Sequence, residues 1–161
     1  MELKNYQKQV IADLERYMEL LGQTQNIAES YKQLWEEKGV EIGTGAMPAY
    51  QNIIPAVPVL ALKIPTGGGK TFLAACAIKS IFEKLPDSKA KVVVWLVPSD
   101  AILEQTVGSL KDPSHPYRQR INADFGGRVE VYTKQELLSG QNFNIASIAE
   151  QDYDRHRATL A

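Results

Sequence analysis

One segment constrains this chain more than any other. Pro65-Thr66-Gly67-Gly68-Gly69-Lys70-Thr71 places three consecutive glycines directly before a lysine and a threonine. Glycine reaches backbone conformations closed to other residues and lets the main chain approach a ligand, so such a run can wrap amide N–H groups around an anion. Before it stands Val59-Leu60-Ala61-Leu62-Lys63-Ile64, a nearly continuous apolar run of the kind a buried parallel strand requires. After it, Lys70 to Lys84 carries Phe72, Leu73, Cys76, Ile78, Ile81 and Phe82 at helical spacing. Strand, glycine turn and helix in that order predict an anion nest backed by the positive end of a helix dipole. There Lys70 supplies a point charge to terminal phosphates and Thr71 a hydroxyl to magnesium. The plain alternative is a flexible glycine turn with an incidental lysine; the flanking strand and helix weigh against it.

The remaining chain supports alternating strands and helices. Leu3, Tyr6, Val10, Ile11, Leu14, Tyr17, Met18 and Leu21 predict an amphipathic helix that stops at Gly22. Ile27, Tyr31, Leu34 and Trp35 predict a second, ending near Gly39, and the Gly- and Pro-punctuated text from Val40 to Pro58 predicts a connecting loop. Val92 to Val97 predicts a second buried strand, Asp100 to Leu110 a helix, Asp112 to Pro116 a loop, Arg128 to Tyr132 a third strand, and Lys134 to Leu138 a short helix. From Gln141 no strand-like run occurs, and a loosely ordered tail is expected. The resulting division is 1–57, helices and connecting loop; 58–140, the phosphate-binding part; and 141–161, the tail. Alternation of this kind implies right-handed crossovers in a parallel sheet sandwiched by helices, an α/β fold with an N-terminal helical segment.

Composition narrows the partners little. A formal net charge of -1 creates no global field toward nucleic acid, so partner identity must come from motifs. One cysteine, Cys76, permits no internal disulfide. The first residues lack the apolar core of a secretion signal and no apolar run is long enough to span a bilayer, so a soluble cytoplasmic protein without a membrane partner is expected.

The run Ile64-Pro65-Thr66-Gly67-Gly68-Gly69-Lys70-Thr71 resembles motif I of superfamily 2 helicases and translocases. Ile64 stands where the general phosphate-loop pattern has its first glycine, a departure within the helicase variant. Tyr6-Gln7 resembles the upstream glutamine motif of these motors, where the glutamine amide reads adenine by donating and accepting at once. Without the resemblance, Gln7 is simply a solvated helix residue. Val97-Pro98-Ser99-Asp100-Ala101-Ile102-Leu103-Glu104-Gln105 resembles motif Ia, which implies nucleic-acid contacts at Pro98, Ser99 and Gln105. Asp100 replaces the phosphate-binding arginine of the RNA-unwinding branch, and Ser99 or Asp100 equally suits a helix cap. Val131-Tyr132-Thr133 is similar to motif Ib, with Thr133 toward a phosphate or in a plain turn. Among these motors the chain looks most like the helicase-like subunit of type III restriction enzymes.

The resemblance implies a truncated P-loop NTPase (RecA-like) domain that binds ATP and Mg2+ through Pro65, Thr66, Gly67, Gly68, Gly69, Lys70 and Thr71, with Gln7 on the adenine. Lys70 and Thr71 take the catalytic positions, Thr71 being the magnesium ligand. It implies double-stranded DNA as partner, together with the remainder of the motor or a modification subunit. The family's acidic Asp-Glu motif is absent from this sequence, as is a second motor domain, so little hydrolysis above background is expected. Asp152 and Asp154 read as a solvated charge run, Cys76, Trp35 and Trp95 as packing residues, and His115 and His156 as non-ligands. Two other classes remain open: a kinase-like phosphate-loop enzyme, and a non-catalytic remnant that relies on another chain.

Overall fold

A computed structural model describes residues 2–43, 45–84 and 91–140 and the backbone of Ala158–Leu160. Two compact units divide them. One comprises Glu2–Leu73 and Ser80–Leu85; the other comprises Met1, Ala74–Lys79 and Pro86–Ala161.

In the first unit, α1 (Asn5–Thr24) and α2 (Ile27–Glu37) pack on each other. The 3.6-residue stripe of α1 buries Leu14, Tyr17, Met18 and Leu20. Burial pushes the Tyr17 phenol up to about 12. Charged pairs outline the packing: Arg16 bridges Glu37 and Glu19, and Lys38 donates to Asp13 at 2.7 Å. Gly22 does not end α1. The helix runs through it, and Gln25 in the left-handed region forms the C-cap, its N–H donating to Leu21. Nothing surrounds Gly22, so the helix bears the entropic cost of a glycine without a clash. The described residues of 40–58 form no helix or strand beyond an isolated bridge between Ile42 and Met47, as expected for a connecting loop.

The expected first strand does not form among the described residues. Val59–Ile64 makes no ladder among the described residues, and Val59, Leu60 and Leu62 are exposed while Ile64 is buried. An apolar run shows that a segment calls for burial; a strand also needs hydrogen-bonding neighbours, which no local pattern supplies.

Helix α3 (Lys70–Lys84) begins immediately after Gly69 and is divided between the two units. Phe72, Leu73, Ala75, Cys76, Ala77 and Ile78 are all buried, the near-continuous apolar character of an interior helix. Burial raises the Cys76 thiol, consistent with a packing role.

In the second unit, strand β1 (Lys91–Val93) is shorter than the expected Val92–Val97. Helix α4 (Asp100–Lys111) follows, then α5 (Pro116–Asp124), β2 (Val129–Val131) and α6 (Lys134–Ser139). Helix α5 is additional to the sequence reading, although its start is well marked. Pro116 lies at the first helical positions, and His115 is the N-cap, its Nδ1 accepting from the Tyr117 amide.

The absence of a strand beyond Gln141 is also corrected. Ala158–Leu160 forms β3, paired in parallel with β1 on one side and β2 on the other, with Lys91 and Val129 both in register with Ala158. Residues 141–157, including Asp152, Asp154 and His156, lie outside the described residues. The expected helix-covered sheet is therefore reduced, among the described residues, to a ladder of three-residue strands without the segment that precedes the glycine loop.

Candidate phosphate-binding site

The glycine loop is gripped from α1. At the first turn of that helix, the Tyr6 hydroxyl donates to the Gly68 carbonyl at 2.7 Å, and Gln7 Nε2 donates to the same carbonyl at 2.8 Å. Gln7 Oε1 in turn accepts from the Lys4 amide at 2.8 Å. Both ends of the Gln7 amide are therefore engaged, and the residue is only 3% exposed. A solvated helix residue it is not. By count, these two bonds leave one N–H and one lone pair of the amide unused.

Within the loop, the Gly68 N–H donates to the Pro65 carbonyl at 2.9 Å, closing a tight turn. Gly67 and Gly69 hold φ of 72° and 71°, the left-handed region that glycine enters without penalty. Gly68 is required for a different reason. A Cβ there would lie 2.7 Å from Ile64 Cγ2 and 2.8 Å from the Pro65 oxygen. Buried Ile64, the departure from the general pattern, thus packs directly under the loop. At Gly69 a Cβ would meet Gln7 Nε2 at 2.8 Å. The cradle is shaped by the missing side chains, which is what close approach of a polyphosphate demands.

Lys70 and Thr71 open α3 beside this turn. The Lys70 ammonium is exposed and donates to the Pro65 carbonyl at 3.2 Å, so its charge lies over the loop. The N-terminal amides of the helix have no intrahelical acceptors, and the dipole adds positive potential at that end. The glycine turn, the exposed lysine and the helix N-terminus together make a donor set of the kind a polyphosphate calls for. The lower part of α3 is fastened to α1 as well. Ser80 donates to Glu15 at 2.7 Å and Lys84 to Glu19 at 2.8 Å, and Lys84 with Arg16 holds the Glu19 carboxyl below its usual range.

The expected nucleic-acid contacts belong to the second unit and are organised differently. Ser99 is the N-cap of α4, its Oγ accepting from the Ile102 amide at 3.4 Å; Pro98 and Gln105 are exposed. Thr133 caps α6, accepting from the Glu136 amide while the Glu136 carboxylate accepts from the Thr133 amide. Lys111 donates to that carboxylate and, with the Thr133 bonds, holds Glu136 down at about 2. Thr133 also lines an apolar cavity of about 420 Å³, walled by Leu96, Leu103, Leu110, Val131 and Leu137.

The Tyr6 hydroxyl is the one site group that sequence reasoning left without a role. Its position beside Gln7 was the available signal.

Residues 1–158 match the family model described as ResIII, type III restriction enzyme, res subunit. Neither curated proteins nor solved structures give a match.

Proposed function

Because the chain belongs to the type III restriction enzyme res-subunit family, we propose that it is the nucleotide-binding part of a DNA translocase and takes Mg2+–ATP in the loop 65–71. The observation that carries this reading is the Gly68–Gly69 turn, closed to side chains and set against the N-terminus of α3. Bound ATP would supply the γ-phosphoryl group whose transfer to water drives such motors. In this reading Gly67, Gly68 and Gly69 present backbone to the phosphates, Lys70 neutralises their charge, and Thr71 holds magnesium. Pro65 and Thr66 form the entry to the turn. Gln7 reads adenine with the amide groups its structural bonds leave over.

Double-stranded DNA is the proposed substrate, contacted by Pro98, Ser99, Gln105 and Thr133, and a modification subunit the proposed partner. The sheet covered by helices on both faces, the division at residue 57, and a cytoplasmic location are parts of the same reading. Among the described residues no helix is long and apolar enough to cross a membrane.

This sequence has no Asp-Glu motif to position the attacking water, so the chain by itself binds nucleotide with hydrolysis near background. Calorimetry with Mg2+–ATP tests the claim: saturable binding by the wild type and its loss in Lys70→Ala are expected. Binding that Lys70→Ala leaves untouched, or turnover by the wild type that Lys70→Ala abolishes, would overturn respectively the site and the hydrolysis-poor assignment.

A further inference from the structure

We propose that Tyr6 is a positioning residue for the phosphate loop, holding the Gly68 carbonyl back so that the Gly69 amide faces the bound polyphosphate; this rests on the nucleotide-binding reading above. Tyr6 and Gln7 donate to one oxygen at 2.7 and 2.8 Å, which occupies both lone pairs of the Gly68 carbonyl. Two donors fixed at the start of a 20-residue helix define the direction of that C=O bond, not merely its distance. Among the described residues no peptide bond is cis, so the Gly69 N–H points opposite to the Gly68 C=O. Pulling the carbonyl toward α1 therefore turns the next amide outward. Among the described residues the Gly69 amide makes no hydrogen bond, whereas the Gly68 amide is spent on Pro65.

The left-handed φ of Gly69 then lets Lys70 enter the helix at once, leaving the freed amide next to the lysine charge. A loop of three glycines is otherwise costly to order, because glycine loses more freedom on folding than any other residue. The Tyr6 bond supplies part of that ordering before the ligand arrives. Preorganisation of this kind acts on the polyphosphate irrespective of the base it carries.

Inorganic tripolyphosphate with magnesium is accordingly the discriminating probe, since it has no adenine for Gln7 to read. Calorimetry on the whole chain should show that Tyr6→Phe weakens Mg2+–tripolyphosphate and Mg2+–ATP by the same factor, about fivefold for one lost hydrogen bond. The melting temperature should fall by only a few degrees, about what one lost hydrogen bond costs, because the ring itself is retained in phenylalanine. Equal affinities in wild type and variant would remove the latch while leaving the site intact. A loss confined to ATP would also overturn it, since the tyrosine would then serve the base. A wild type that takes up neither ligand would remove the functional reading, and the latch with it. Nuclear magnetic resonance provides a check that needs no variant: the Gly69 amide resonance of the wild type should shift on adding Mg2+–tripolyphosphate. A stationary Gly69 in a chain that binds the probe sinks the proposal.

Discussion

Two regions carry groups read as phosphate contacts, and they are held in place by different kinds of bond. In the first unit the glycine loop is positioned by Tyr6 and Gln7, residues 62 and 61 positions away along the chain. In the second unit the Ser99 and Thr133 hydroxyls bond three residues onward, each inside its own helix cap. A cap sets where a helix begins and satisfies one of its orphan amides; it does not need a ligand to be there. The two donors to the buried Gly68 carbonyl satisfy it and also fix the loop against a distant helix, which a cap cannot do. Long-range bonding therefore ties the shape of the loop to α1, whereas the bonds at Ser99 and Thr133 suit a cap and a phosphate contact equally.

The largest expected effect breaks the comparison on the loop side. Lys70→Ala should lower Mg2+–ATP affinity roughly tenfold to a hundredfold by removing a charge-assisted bond, read by calorimetry. Next comes Gly68→Ala. The Pro65 oxygen that a new Cβ would strike is backbone and cannot swing aside, so urea denaturation should report a loss of about 1–3 kcal/mol. Gly67→Ala, with open space around it but φ of 72°, should cost only about 1 kcal/mol. Equal costs at the two positions would mean that Ile64 and Pro65 do not form the floor described.

Substitution at Ser99 sharpens the other side. Aspartate caps as well as serine, so Ser99→Asp should leave the melting temperature unchanged. If Ser99 faces a DNA phosphate, the same change should reduce duplex affinity about fivefold by charge repulsion, measured at low salt. Unchanged affinity would leave Ser99 as a cap and nothing more.

The smallest effect concerns pH. Glu136 is held down at about 2 by Lys111 and the Thr133 bonds, so its folded value is depressed. Its contribution is therefore fully present above the ordinary value of 4.5 and lost as pH falls toward 2. Thermal melts of wild type and Glu136→Gln should differ slightly at pH 6 and converge by pH 2. The Tyr6–Gln7 grip on Gly68 contains no carboxylate and should be indifferent over the same range.

Much of this was legible in the residues. The helix Lys70–Lys84 has the expected bounds, and α1, α4, β2 and α6 differ from expectation by a few residues at their ends. Their signals are local: apolar spacing, Ser99 at an N-cap, glycines before Lys70. The errors share one cause. Val59–Ile64 and Val94–Val97 are as apolar as strands should be but make no ladder among the described residues, while Ala158–Leu160, with no comparable run around it, sits between β1 and β2. Whether an extended segment becomes a strand depends on which other segment offers hydrogen bonds at the right spacing.

The sequence by itself determined that a glycine cradle would precede a helix carrying Lys70 and Thr71 at its first positions, because backbone freedom and helix periodicity are properties of neighbouring residues. Only the tertiary structure decided that Gln7 would be buried against that cradle, that Ile64 would underlie Gly68, and that Tyr6 would share the Gly68 carbonyl. The Tyr6 and Gln7 bonds join residues some sixty positions apart, and no short-range pattern encodes a hydrogen bond whose partner is chosen by the packing of a helix against a loop.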